Sequence, residues 1–140
     1  MATISEDYVS FETAKLLKEK GFDGACNRVY QGPNLKYTTI PISPLMSLGE
    51  FGGFHPKQLY VTNNELGDIA YTAPTLQMAM KWLREVHKLY ITISHRFSHN
   101  ADQDVCFSYY INIDTAEDGE YMTYEEACEA AIKYCLENLI

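Results

Sequence analysis

His95 and His99 lie four positions apart in the stretch HRFSHNADQD, residues 95–104. Imidazoles at i and i+4 share one face of a helix and can converge on a zinc ion at about 2 Å. His87, Asp102 and Asp104 are near in sequence. The stretch lacks a helical period, however, and reads as the tip of a hairpin, where side chains are usually solvated. Spacing alone does not bring this pair together. A small metal-binding protein or enzyme built on His95 and His99, with Cys26 or His55 as a further group, is therefore the alternative reading.

Cys26 is followed by Asn27 and Arg28, and a neighbouring guanidinium can lower a thiol pKa. Free cysteine is also among the most often buried residue types, so a structural Cys26 is the favoured reading. The glycine-rich GEFGGFHP, residues 49–56, has neither the Lys-Ser/Thr of a phosphate-binding loop nor G-x-G-x-x-G spacing. It reads as a flexible turn. No residue is assigned a catalytic role, and no cofactor is called for.

The elements that must position these groups come from a chain of 140 residues with 19 acidic and 11 basic side chains and a net charge of −8. That length fits one domain, expected over residues 1–140, and suffices to bury a core without disulfides or metal. The acidic balance argues against nucleic acid and anionic membranes as direct partners, because repulsion replaces counterion release. It leaves solubility, the ordinary reason for such a charge, or docking onto a basic partner. None of Cys26, Cys106, Cys128 and Cys135 forms a C-x-x-C pair. Cys128 and Cys135, seven residues apart on a helix, would have Cα atoms roughly 10 Å apart, too far for a disulfide. Reduced, mostly buried thiols imply a cytoplasmic setting. The opening MATISEDYVS is polar and acidic, unlike a signal peptide, and no apolar run reaches transmembrane length.

Three helices are predicted. Ser10 caps the first, whose inner side is Phe11, Ala14 and Leu17, with Gly21 as the left-handed residue beyond its end and Phe22 folded back on Leu17. Pro74 opens the second at its first helical position. Its stripe is Leu76, Ala79, Met80, Leu83 and Val86 or His87, with Trp82 on the flank as a core-edge anchor. Thr123 and Glu126 form a capping box for the third, whose stripe is Cys128, Ala131, Ile132, Cys135, Leu136 and Leu139. From Leu89 the period becomes two. Leu89, Ile91 and Ile93 alternate with Tyr90, Thr92 and Ser94, and a returning strand, residues 105–114, sets Val105, Phe107, Tyr109 and Ile111 on one face and Tyr110 on the other. CNRVYQ and LKYTTI flank GPN as a further hairpin, with Tyr30 and Tyr37 as cross-strand partners. Residues 41–73 break every period. They are either a long functional loop or a short strand near QLYVT between two ordinary loops. The expected fold is α+β: one antiparallel sheet of four or five strands with three helices largely on one face.

The segments YVSFETAKLLKEKGFD, APTLQMAMKWLREVH and YEEACEAAIKYCLENLI together resemble a family of short hypothetical proteins of gut Bacteroidetes and of their phages and mobile elements. The resemblance covers the three helices and not residues 41–73. It implies a bacterial cytoplasm and a phage or mobile-element origin, and it brings no activity, cofactor or site residue with it. The eleven tyrosines point to a surface role, since tyrosine joins an apolar ring to a polar tip and is enriched at interfaces. They are also able simply to cover a sheet edge. The function expected is that of a non-catalytic accessory or interaction protein that binds a protein partner or a second copy of itself. Tyr90 and Tyr110 on the outer sheet face, and Phe51 and Phe54 in the irregular segment, are the expected contact residues. An acidic decoy for a basic nucleic-acid-binding surface is a variant of this reading.

Overall fold

The computed structural model describes residues 4–32, 34–37, 60–68, 70–97, 105–112, 115–116 and 119–140. His55, His99, Phe51 and Phe54 lie outside them. The elements run α1 (Phe11–Glu19), β1 (Arg28–Gln31), β2 (Asn34–Tyr37), α2 (Asn63–Leu66), β3 (Tyr71–Thr72), α3 (Leu76–His87), β4 (Ile91–Phe97), β5 (Val105–Ile111), β6 (Thr115–Ala116) and α4 (Tyr124–Tyr134), which continues as a π-helical turn, Cys135–Leu139.

The α+β class holds, but the strands form two antiparallel sheets rather than one. Their orders are β2-β1-β3 and β4-β5-β6. Strand β1 has β2 on one edge and β3 on the other. After Thr72, Ala73 donates to the Arg28 carbonyl and the chain reaches Pro74, which has no N–H to offer a further strand. The first sheet therefore ends where α3 begins. The register also differs from expectation: Tyr30 faces Leu35 and Tyr37 faces Arg28. Tyr30 is buried, with its hydroxyl donating to the Val9 carbonyl at 2.7 Å.

Local chemistry fixes the helix ends. The Ser10 hydroxyl accepts from Thr13 N–H. At the other end Gly21 adopts φ +91°. Its N–H donates to Lys18 O and that of Phe22 to Leu17 O, the paired closure that satisfies two orphan carbonyls. Helix α3 starts two residues later than expected, at Leu76 rather than Pro74. Thr75 is its cap, accepting from Met78 N–H, and Pro74 is fully buried ahead of it. Thr123 caps α4 by accepting from Glu126 N–H, while the Glu126 carboxylate accepts from Met122 N–H, so that box is closed on one side only. The complete capping box belongs to Thr62 and Glu65 at α2, within the segment the sequence leaves irregular.

A buried amide helps tie residues 60–68 and 70–72 to the rest of the molecule. Asn63, buried, donates through Nδ2 to Phe22 O at 2.8 Å and accepts at Oδ1 from Thr72 N–H at 2.9 Å. It joins the exit of α1 to β3. Val61 also exchanges both backbone hydrogen bonds with Cys26. Helix α4 is central. It packs on β4, β5, α1 and α3, and Ala127, Cys128, Ala131 and Ile132 are fully buried on it. One hydrophobic cluster joins Cys128, Ala131 and Ile132 to Leu17, Phe22, Tyr30, Leu83, Tyr109 and Ile111.

Candidate functional site

The β4–β5 hairpin has two unlike faces, and its register assigns each side chain to one of them. Ile91 pairs with Ile111, Ile93 with Tyr109, His95 with Phe107 and Phe97 with Val105. Alternation places these on the α4 side. There Tyr109 packs against Tyr121 and Tyr134 with centroids 6.0 and 6.3 Å apart, and Phe107 meets Tyr124 edge-on at 6.3 Å. Thr92 pairs with Tyr110, Ser94 with Ser108 and Arg96 with Cys106, and these point away from α4.

Tyr90 belongs to this second face. Its N–H donates to Asn112 Oδ1 at 2.9 Å and its carbonyl accepts from Asn112 N–H at 2.7 Å, which sets it diagonal to Tyr110. The left-handed φ of Asn112, +55°, turns its chain out of β5 there. Tyr90 is 51 % and Tyr110 41 % exposed. The rest of the face is polar and partly closed. Ser94 and Ser108 share a hydrogen bond at 3.0 Å, Cys106 and Ser108 are buried, and Arg96 lies 3.7 Å from Glu120. The face is thus open at its Tyr90–Tyr110 end.

His95 is not at a hairpin tip. It lies inside β4, exposed, opposite Phe107. Among the described residues no three His, Cys, Asp or Glu side chains converge to hold a metal. Cys26 is buried, and burial pushes its thiol up to about 11 from an ordinary 9.0. The Arg28 guanidinium stacks over the Tyr8 ring, 4.2 Å from the centroid. Burial likewise raises Cys128 to about 11 and Cys135 to about 12. These thiols stay protonated at neutral pH and are weak nucleophiles.

One carboxylate escapes sequence reasoning. Glu129 is an ordinary position on α4 by its spacing. In the fold its Oε1 accepts from Ser10 N–H at 3.0 Å and from Thr13 Oγ1 at 2.5 Å. It therefore fastens the start of α1 to the middle of α4. Burial, and after it the charge of Glu129, hold the Tyr30 hydroxyl above the usual phenol range. Only the neighbouring acids of the TYEE cap hinted at this region, and nothing in the sequence paired Glu129 with residues more than a hundred positions away.

Comparison of the chain with protein-family models, with curated proteins and with solved structures finds no match. No helix among the described residues is long and apolar enough to cross a membrane.

Proposed function

We propose that this chain is a non-catalytic interaction protein that docks a protein partner through the tyrosine-bearing face of β4–β5. One observation carries the reading: Tyr90 and Tyr110 stand diagonal to one another and about half exposed on the face turned away from α4. Two large rings left in water on a rigid strand pair offer apolar area with a polar tip at small entropic cost. The raised thiols of Cys26, Cys128 and Cys135 favour structure over nucleophilic chemistry. The cytoplasmic setting and the phage or mobile-element origin rest on the family resemblance of the three helical segments.

The test is position-dependent photo-crosslinking in bacterial cytosol. A photoreactive phenylalanine analogue replaces Tyr90 or Tyr110 in separate variants, and Lys81, exposed on α3, in a control. The reading expects one protein adduct from both tyrosine positions and none from position 81. Purified partner then binds at least about tenfold more weakly to the Tyr90→Ser/Tyr110→Ser variant, the scale of an interface anchor. Equal adducts from all three positions, or unchanged affinity in the double variant, would refute it.

A further inference from the structure

Strand β4, Ile91–Phe97, forms one border of its sheet. A border strand carries a row of main-chain donors and acceptors with no strand beyond it. Natural proteins blunt such a row by shortness, lysine, proline, a bulge or a cover. The other borders are blunted in this way. Strands β3 and β6 have two residues each, and β2 has four with Lys36 among them. Strand β4 has seven, without proline, glycine or lysine, and its one-to-one pairing with β5 runs from Ile91 to Phe97 without a bulge.

The hydrogen-bond pattern says which groups face outward. Phe107 spends both its N–H and its carbonyl on Tyr121, so neither is bonded to His95, the residue opposite it in β4. In an antiparallel ladder that state recurs at every second position. It directs the N–H and carbonyl of Ile91, Ile93, His95 and Phe97 to the open border. Among the described residues none of these groups has a backbone partner. The side chains of the same four residues point to the α4 side, but the cover ends before the strand does. His95 is exposed, and Phe97 is 70 % exposed.

A second copy of the same strand suits this border. Antiparallel pairing about Ser94 sets Ile91 of one copy opposite Phe97 of the other, Ile93 opposite His95, and Thr92 opposite Arg96. All four outward-facing residues are then bonded, the exposed Phe97 ring gains an apolar neighbour, and no like charges stand opposite one another. Strand β4 also holds no carboxylate, so two copies of a chain of net charge −8 meet along a strip free of acidic side chains.

We propose that β4 is a self-association edge, at which two copies of this chain pair their β4 strands antiparallel about a twofold axis at Ser94 and join the two β4-β5-β6 sheets into one. The contact is isologous, each copy giving and receiving the same bonds, and it adds a strand to a sheet border as extended peptides do. It does not rest on the reading of Tyr90 and Tyr110, and the purified chain alone tests it.

The experiment is sedimentation velocity of the whole chain over a rising concentration series, with a reversible monomer–dimer equilibrium as the expected result. His95→Pro removes an outward N–H and leaves the ladder to β5 whole. Phe97→Lys sets a charge opposite Ile91. Each is expected to raise the dimer dissociation constant at least about tenfold, because symmetry counts every lost contact twice. Phe97→Lys keeps the urea midpoint of the parent, so it carries the test whatever proline does to folding. Val86→Lys, on the exposed side of α3, leaves the equilibrium unchanged. Ser94→Cys with oxidised glutathione gives a disulfide-linked dimer, since a non-hydrogen-bonded antiparallel pair holds its side chains close. The parent does not, its four cysteines being buried. A monomer at every concentration, a dimer that Phe97→Lys does not weaken, or a dimeric Ser94→Cys chain without the cross-link overturns the proposal.

Discussion

The two faces of the β4–β5 hairpin are built from the same two strands, yet their rings have different surroundings. On one, Ile91, Ile93, Tyr109 and Ile111 close against α4, and Tyr109 and Ile111 are essentially inaccessible. On the other, Tyr90 and Tyr110 remain about half exposed around a polar strip of Thr92, Ser94 and Arg96. The first face spends its rings on packing, where each buried large side chain is worth about 1.5–3 kcal/mol. The second gains little stability from rings of the same size. Aromatic content alone does not distinguish a packed ring from an exposed one: on the α4 side itself Tyr109 is buried, whereas Phe97, beyond the reach of that packing, is 70 % exposed.

The comparison is broken or sharpened by substitutions on either side of it. The largest effect is expected on the packed side. Ile132→Ala removes a fully buried side chain from the centre of α4 and should cost about 2–5 kcal/mol in urea unfolding. Asn63→Leu comes next. It leaves the Phe22 carbonyl and the Thr72 N–H without their partner, and two buried unsatisfied groups cost about 2–4 kcal/mol together. Gly21→Ala places a Cβ at φ +91°, a left-handed conformation that costs roughly 1–2 kcal/mol outside glycine. Space is not the issue there, since nothing lies within 4 Å of the added carbon.

A smaller, graded effect is expected with pH. Unfolded thiols ionise near 9.0, whereas folded Cys128 holds its proton to about 11 and Cys135 to about 12. Between these values the folded chain binds more protons than the unfolded one. The stabilisation is therefore complete below about pH 9 and is lost as pH rises through 11 and 12. Urea unfolding at pH 8 and pH 10 checks this. The fall should be shallower in Cys128→Ala/Cys135→Ala than in the parent, both measured against their own value at pH 8.

Much of this frame was legible in the chain because its signals are local. Ser10, Gly21 and Phe22 announce the limits of α1, and the apolar stripe of α4 needs no knowledge of its neighbours. The alternation from Leu89 onward separated Tyr90 and Tyr110 from the packed residues. The division into two sheets was not legible. Its joining strands, Tyr71–Thr72 and Thr115–Ala116, are two residues each, too short to show a period of two. The same holds for Asn63, whose partners lie 41 and 9 residues away, and for Glu129, whose partners lie 119 and 116 residues away. An asparagine or glutamate of this kind looks like any solvated polar residue until the fold brings its partners to it. Pro74 was misplaced by two positions because proline before a threonine cap and proline at the first helical position leave the same apolar stripe behind them.

The measurement that bears most directly on the contrast between the faces is the unfolding free energy of Tyr90→Ser/Tyr110→Ser, read in urea beside Ile132→Ala under identical conditions. The double variant is predicted to lie within about 1 kcal/mol of the parent, as exposed positions do, while Ile132→Ala falls by several times that amount. A loss of about 3 kcal/mol or more in the double variant would place both tyrosines in the core and contradict the account.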